Sequence, residues 1–376
     1  MKARNLKVAL VHDFLVKLGG AERVLKVLAD MYPDAPIYTL LYDEEVCGSE
    51  FKKDRVRPSF LQKAPKFLRK RQKFLFPWMP RAIEALDFSE FDVVISSSNA
   101  FAHGILVPSH TLHVCYCHSP MRYAWDYAHE YLKEQKITGL KAFMIESMMM
   151  KVRMWDSLAS DRVDYYIANS KHVQKRIKKY YRRESEVLYP AVDTRKFKPM
   201  KKNEDYFLIV SALTPFKKID LAIELFNKIG KRLVVIGSGA QMDYLKSIAG
   251  PTVEILGRKE DATVREYLEN CRGYILPAEE DFGIAPVEAM ACGKPVLAFG
   301  KGGALETVIP GVTGELFYEA TVESMEDGLG RLIVNEKEYD AEKIHKHANL
   351  FSKQHFEEHF EKLLESYLAK TTYLDA

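Results

Sequence analysis

Short apolar runs recur along this chain, hydrophobic at nearly every position rather than at alternate ones. Each ends in a polar or glycine-bearing turn before a helical pattern begins. Leu6 to Val11, Phe91 to Ser98 and Thr111 to Tyr116 are of this kind, as are Tyr206 to Val210, Arg232 to Ile236, Gly273 to Leu276 and Pro295 to Phe299. A strand that is apolar on both faces needs cover on both, which a parallel sheet flanked by helices supplies. The alternation occurs twice and predicts an α/β chain of two doubly wound, Rossmann-like parallel-sheet domains facing across a cleft. A length of 376 residues agrees, since it exceeds what one core organises. The polar, proline-bearing stretch from Phe197 to Asn203 sets the expected boundary, giving domains 1–198 and 199–351.

Composition excludes more than it names. A hydrophobic share of 47 % beside 28 % charged residues is ordinary for a globular chain, and a net charge of +3 singles out no partner. Five cysteines, an odd number, follow an N-terminal apolar run too short for a signal h-region, so reduced thiols in the cytoplasm are expected. No window approaches the roughly 18 apolar residues of a spanning helix. One segment breaks the balance: ten Lys or Arg and one Asp fall between residues 52 and 73. Phe60, Leu61, Ala64, Phe67, Leu68 and Leu75 keep helical spacing there, and Phe74, Phe76 and Trp78 follow. The stretch 52–80 reads either as a basic helix with an aromatic face for an anionic membrane surface, or as a solvated cationic face over buried aromatics. Nucleic acid ranks third, since no nucleic-acid motif accompanies the patch. The Met-rich amphipathic segment 139–160 reads as packing surface.

The residues just beyond the runs carry the chemistry, because ligands of open α/β sheets lie outside the carboxyl ends of the strands. The most informative stretch is Pro277 to Val296, PAEEDFGIAPVEAMACGKPV. Glu280 sits in a loop, and Glu288 lies on an amphipathic helix that starts just after Gly283. Unpaired N–H groups at such a helix start attract anions, and the two carboxylates accept from sugar and ribose hydroxyls. Elsewhere, Gly19-Gly20 opens a helix after the first strand, either as a tight turn or as a phosphate contact. His118 follows a strand in Cys117-His118-Ser119-Pro120, either capping it or doing chemistry. Arg122 and Trp125 stand four and seven residues on, where they could shape an acceptor pocket. Lys217 and Lys218 precede a helix and are either exposed loop lysines or counter-charges for a diphosphate. Cys115, Cys117, His113 and His118 invite a zinc reading, but no second ligand pair stands at zinc spacing, so core thiols are expected.

Glu280-Asp281-Phe282-Gly283-Ile284 followed by Glu288 through Val296 resembles the donor-sugar motif of glycosyltransferase family 4, whose members are retaining enzymes of GT-B fold. The resemblance covers nearly the whole chain, and FDVVISSS, CHSPMRYAWD and VDYYIANS look most like bacterial mannosyltransferases of surface polysaccharide synthesis. It implies that Glu280 and the Phe282-Gly283-Ile284 backbone hold the donor hexose and that Glu288 holds the ribose. It places His118 beside sugar and acceptor, Gly19-Gly20 and Lys217 beside the diphosphate, and the loop at Arg258 near the nucleobase. Arg258 itself faces the base, the ribose or solvent. The family has an Arg where Ala212 stands and a Gly where Lys218 stands; Lys218 could replace the missing cation. A last helix, about 352–370, is implied to cross back to the first domain.

The implied activity is transfer of mannose from GDP-mannose to a hydroxyl of a lipid-linked glycan, peripherally on the inner face of the cytoplasmic membrane. A UDP-hexose donor and a non-catalytic sugar-nucleotide-binding subunit are the alternatives. No Asp-x-Asp stands in a metal setting, so neither a divalent ion nor another cofactor is expected.

Overall fold

A computed structural model describes residues 6–126, 137–199 and 204–371. It divides into two compact units, Met1–Ala191 with Phe356–Ala376, and Val192–His355. Met200 to Asn203 of the polar linker lie outside the described residues.

The first unit is built on seven strands: β1 (Val8–Leu15), β2 (Ile37–Tyr42), β3 (Val56–Pro58), β4 (Val93–Ser98), β5 (Leu112–Cys117), β6 (Tyr165–Ala168) and β7 (Ser185–Val187). All pair in parallel, in the order β3-β2-β1-β4-β5-β6-β7. The winding reverses between β1 and β4, which makes the space beyond their carboxyl ends the expected ligand crevice of this sheet. Alternate residues of each strand feed opposite cores. Leu10, Ile95 and Tyr116 pack under the helix Gly20–Met31 and under Phe356, Phe360 and Leu364 of the final helix Lys353–Lys370. Ala9, Val11 and Val94 face Met79, Ile83, Phe101 and Val152 on the other side. Each Val, Leu, Ile, Met or Phe among them contributes about 1.5–3 kcal/mol when fully buried.

Two expectations need correction. The basic stretch is not one helix but a series of short turns, Phe60–Lys63, Lys66–Lys70, Gln72–Phe74, Phe76–Trp78 and Met79–Glu84. Pro65, Pro77 and Pro80 interrupt it, since a proline removes a backbone donor and crowds the preceding turn. Leu61 and Leu75 are buried, whereas Phe60, Phe67, Phe74 and Trp78 are exposed. Arg55 is also withdrawn from the cationic surface, because its guanidinium donates to the carbonyls of Ala35, Ala29 and Tyr32. The second correction concerns the helix Gly139–Ser160. Val152, Asp156 and Ala159 are buried, but the opposite side leaves its large apolar residues exposed rather than packed.

The second unit holds β8 (Phe207–Val210), β9 (Leu233–Ile236), β10 (Val253–Gly257), β11 (Gly273–Leu276), β12 (Val296–Phe299) and β13 (Gly314–Phe317). They are parallel in the order β10-β9-β8-β11-β12-β13, so the reversal falls between β8 and β11. Its core gathers Phe207, Ile209, Ile275, Leu297 and Phe317 beneath Ile223 and Phe226 of the helix Ile219–Ile229.

Candidate active site

The loops after β8 and β11 leave the second sheet where its winding reverses, and they bring Lys217 and Glu280 together. Nζ of Lys217 and Oε1 of Glu280 form an ion pair, with both side chains about one-fifth exposed or less (16 % and 21 %). The loop after β12 fixes the position of Glu280: Gly303 N–H donates to the Glu280 carbonyl at 2.8 Å. No side chain fits there, since a Cβ on Gly303 would meet the backbone of Phe282. Gly283 then takes φ +91°, a left-handed value that favours glycine, and the helix Ile284–Ala291 begins at the next residue. Phe282 turns inward, buried with its ring 5.5 Å from that of Phe351, so only its backbone borders the loop.

Tyr274 of β11 lies beneath this group and donates its hydroxyl to the Val210 carbonyl at 2.9 Å, tying β11 to the end of β8. Burial above all, with the charges of Glu280 and Glu288 adding, holds its phenol well above the ordinary value. Both carboxylates therefore lie within electrostatic reach of one buried hydroxyl. Lys218 is exposed and left-handed, with φ 51° and ψ 36°, where it caps the helix Ile219–Ile229. That backbone explains why a glycine suits the position. Ala212 is exposed, and Arg258 is exposed just past the edge strand β10, separated from β8 by β9.

The first unit carries a second constellation at its own reversal. The register pairs His12 of β1 with Ser97 of β4, and His118 follows β5 on the same face. His12 Nδ1–H donates to the Ser97 carbonyl at 2.9 Å, and the Ser97 hydroxyl lies 3.1 Å from that nitrogen and 2.8 Å from Nε2 of His118. On the far side, Nε2 of His12 stands 3.8 Å from Oε1 of Glu22. The other oxygen of Glu22 accepts from Gly19 N–H at 2.8 Å, closing the start of the helix Gly20–Met31. A line of polar contacts thus runs from the Gly19-Gly20 turn through Glu22, His12 and Ser97 to His118, hydrogen-bonded at each step except the 3.8 Å between Glu22 and His12. Burial, and secondarily the charge of His12, pushes His118 down to about 3, so it is neutral at pH 7. Burial alone would raise Glu22, but the neighbouring His12, with Lys17 adding, outweighs it and holds the carboxyl below its ordinary value.

All three serines of Phe91 to Ser98 meet a histidine. Ser96 lies 2.8 Å from His113 Nε2, Ser97 pairs with His118, and Ser98 lies 3.3 Å from His103 Nδ1. Asp13 serves the backbone instead, accepting the N–H groups of Asn99, Ala100, Phe101 and Ala102 at 2.5–3.1 Å. Cys115 and Cys117 are buried free thiols in an apolar cluster with Val163, Tyr166 and Val173.

Arg122 and Trp125 lie in the turn that follows His118. Trp125 stacks on Tyr180 at 4.9 Å, and its indole N–H donates to Asp156 at 2.7 Å, so one ring face is already covered. Arg176 holds the same turn, donating to the Ser119 hydroxyl at 2.5 Å and pairing with Asp126 at 2.5 Å. The sequence reading gave no role to Glu22, Ser97, Tyr274 or Arg176. A Glu three residues after a helix-capping Gly was the one available signal, for Glu22.

Two family models match the chain. Residues 18–196 match Glycosyltransferase Family 4, and residues 192–349 match Glycosyl transferases group 1. The chain is 24 % identical over 269 residues to the alpha-1,3/1,6-mannosyltransferase ALG2 of Dictyostelium discoideum, a match covering 58 % of this chain and 61 % of that one. It is 29 % identical over 181 residues to a GDP-mannose-dependent alpha-(1-6)-phosphatidylinositol monomannoside mannosyltransferase of Mycolicibacterium smegmatis, covering 40 % and 47 %. The chain therefore spans less than two thirds of the length of these curated relatives. Among solved structures, HepE of Anabaena in complex with UDP superposes with a TM-score of 0.71 at 18 % identity, over 96 % of this chain and 100 % of that one. With its two parallel sheets and with the two models together running from residue 18 to residue 349, the chain belongs to glycosyltransferase family 4 and has the GT-B fold.

Proposed function

We propose that this chain is a retaining hexosyltransferase that moves mannose from GDP-mannose onto a hydroxyl of a lipid-linked glycan. The observation that carries the reading is the Lys217–Glu280 ion pair at the β8/β11 reversal, with Glu288 on the adjoining helix. In this reading Glu280 and the backbone of Phe282, Gly283 and Ile284 hold the hexose, and Glu288 holds the ribose. Lys217, Lys218, the helix start after Gly283 and the Gly19-Gly20 turn are assigned to the diphosphate, and Arg258 to the base or ribose. Departure of the nucleoside diphosphate builds negative charge, and preorganised cations and N–H groups stabilise it. His118, neutral at pH 7, orients sugar or acceptor by hydrogen bonding rather than by charge. Arg122 and Trp125 border the acceptor. Attack on the face that the diphosphate leaves, through an oxocarbenium-like state, accounts for retention without a covalent intermediate, and no divalent ion enters.

The choice of mannose draws on the names of the Dictyostelium and Mycolicibacterium relatives. Peripheral attachment to the inner face of the cytoplasmic membrane draws on the exposed cations and aromatics of residues 52–80. A UDP-hexose is the second donor reading, favoured by the UDP in the HepE complex. The exposed Ala212 where the family has an Arg favours a sugar-nucleotide-binding subunit without turnover.

Titration with GDP-mannose and UDP-glucose, followed by a transfer assay on lipid-linked acceptors and determination of the product anomer, tests all three. GDP-mannose binding with an α-mannosyl product is expected. Transfer at wild-type rate by Glu280→Gln and Lys217→Met would falsify the site assignment.

A further inference from the structure

The helix Gly139–Ser160 offers a surface that the fold leaves open. Leu140, Phe143, Met144, Met150, Met154 and Leu158 are each between 51 % and 76 % exposed. At about 100° per residue they form one stripe about 120° wide, opposite the buried Val152, Asp156 and Ala159. The stripe runs about 27 Å along the helix. Apolar rows of this size on a globular surface mark a partner. The helix is not itself a span, since no described helix is long and apolar enough to cross a membrane.

Charge and position select the partner. Lys141 and Lys151 are exposed on the same helix, and Lys151 falls within the stripe. The helix also shares a core with the basic segment. Val152 and Trp155 pack in one cluster with Leu61, Leu75 and Met79, and Trp155 Nε1–H donates to Glu84 at 2.8 Å. The basic segment and this helix therefore pack, through Leu61, Leu75, Met79 and Val152, into one core of the first unit, and Phe67, Phe74 and Trp78 of that segment are exposed. From Lys63 to Arg81 that segment holds seven cations and no acid. Two copies meeting through such a face would bring like charges together, whereas an anionic lipid surface attracts both its cations and its apolar rows.

We infer that the Leu140–Leu158 face lies in the headgroup region of an anionic membrane and inserts its methionines, leucines and phenylalanine among the acyl chains. The segment 63–81 supplies the electrostatic attraction, and this helix supplies the apolar anchor. The inference rests on the membrane part of the function proposed above and names the element that enters the lipid.

All five native cysteines are buried, so a Cys introduced at Met154 is selectively labelled. The full chain carrying Met154→Cys with an environment-sensitive dye is mixed with phosphatidylglycerol/phosphatidylcholine vesicles and with phosphatidylcholine vesicles. A Val334→Cys label on the second unit is the control. A blue shift at 154 with anionic vesicles only, and none at 334, is expected. Met154→Gln with Leu158→Gln should weaken vesicle partitioning at least about tenfold, the scale of losing buried apolar side chains, with transfer to a water-soluble acceptor analogue unchanged. Vesicle binding with no shift at 154 overturns this inference and leaves the membrane reading standing through 52–80. No binding to anionic vesicles overturns both. Sedimentation showing a dimer that the double variant dissociates, or a shift at 154 induced by an added protein but not by lipid, assigns the face to that occupant and overturns the proposal.

Discussion

Nζ of Lys217 meets Oε1 of Glu280 although the two residues are 63 positions apart and stand on loops from different strands. Each neutralises the other where the second sheet reverses. A bound diphosphate and hexose would compete for the same two groups. Lys217→Met and Glu280→Gln are each expected to slow transfer by about 10²–10³. Because the pair acts as a unit, the double variant should be little worse than the poorer single one. Steady-state kcat and kcat/KM for the three variants check this, and strict additivity would count against a shared site.

Adjacent serines meet different histidines, Ser96 the buried His113 and Ser97 the His118 assigned above to sugar or acceptor. Ser96→Ala and Ser97→Ala each leave a buried imidazole without its hydroxyl, which should cost about 1–3 kcal/mol of stability. Only Ser97→Ala should also lower kcat, because only Ser97 touches His118. Urea unfolding measured beside turnover distinguishes the two, and equal kcat losses would refute the contrast.

Glu22→Gln keeps an acceptor for Gly19 N–H but removes the charge facing His12, whereas Glu22→Ala removes both. The Gln variant should shift the pH profile of kcat/KM while retaining most stability. The Ala variant should lose about 1–3 kcal/mol as well. Profiles that superpose for wild type and Glu22→Gln would remove Glu22 from the line leading to His118.

Lys218 occupies a left-handed backbone at φ 51°. Lys218→Gly should relieve about 1 kcal/mol of strain and raise the melting temperature. If the side chain faces the diphosphate, the same change should weaken donor binding. Calorimetric unfolding and donor titration on one sample read both effects, and unchanged affinity would leave Lys218 with a backbone role alone.

His113 and His118 are both pushed down to about 3, mainly by burial. Between pH 6.5 and about 3 the unfolded chain therefore binds more protons than the folded one, so stability falls as pH falls. The loss should reach about 2 kcal/mol per histidine by pH 5. Urea unfolding at pH 7, 6 and 5 measures the slope, and His113→Asn should flatten it. A slope unchanged by that substitution would show that His113 does not titrate as stated.

Much of the fold was legible because its strands are apolar on both faces, a pattern that only a doubly covered parallel sheet satisfies. The helix after Gly283 was legible for a local reason, since glycine there permits the left-handed turn from which the helix starts. The basic stretch misled because apolar spacing continues across Pro65 and Pro77, and periodicity alone does not register the breaks that prolines impose. The helix Gly139–Ser160 misled differently. It carries large apolar residues around most of its circumference, so its pattern could not say which side the core would take.

What residue order determined alone was local: strand type, glycine turns and the carboxylates and lysines that follow strand ends. Tertiary structure decided which of those groups meet. His12 and Ser97 are 85 positions apart, and Ser97 and His118 are 21 apart; no spacing rule joins them. Strand register places all three on one face, and burial keeps His118 neutral. Contacts along the chain follow from covalent geometry, whereas contacts across a sheet depend on where each strand finally pairs.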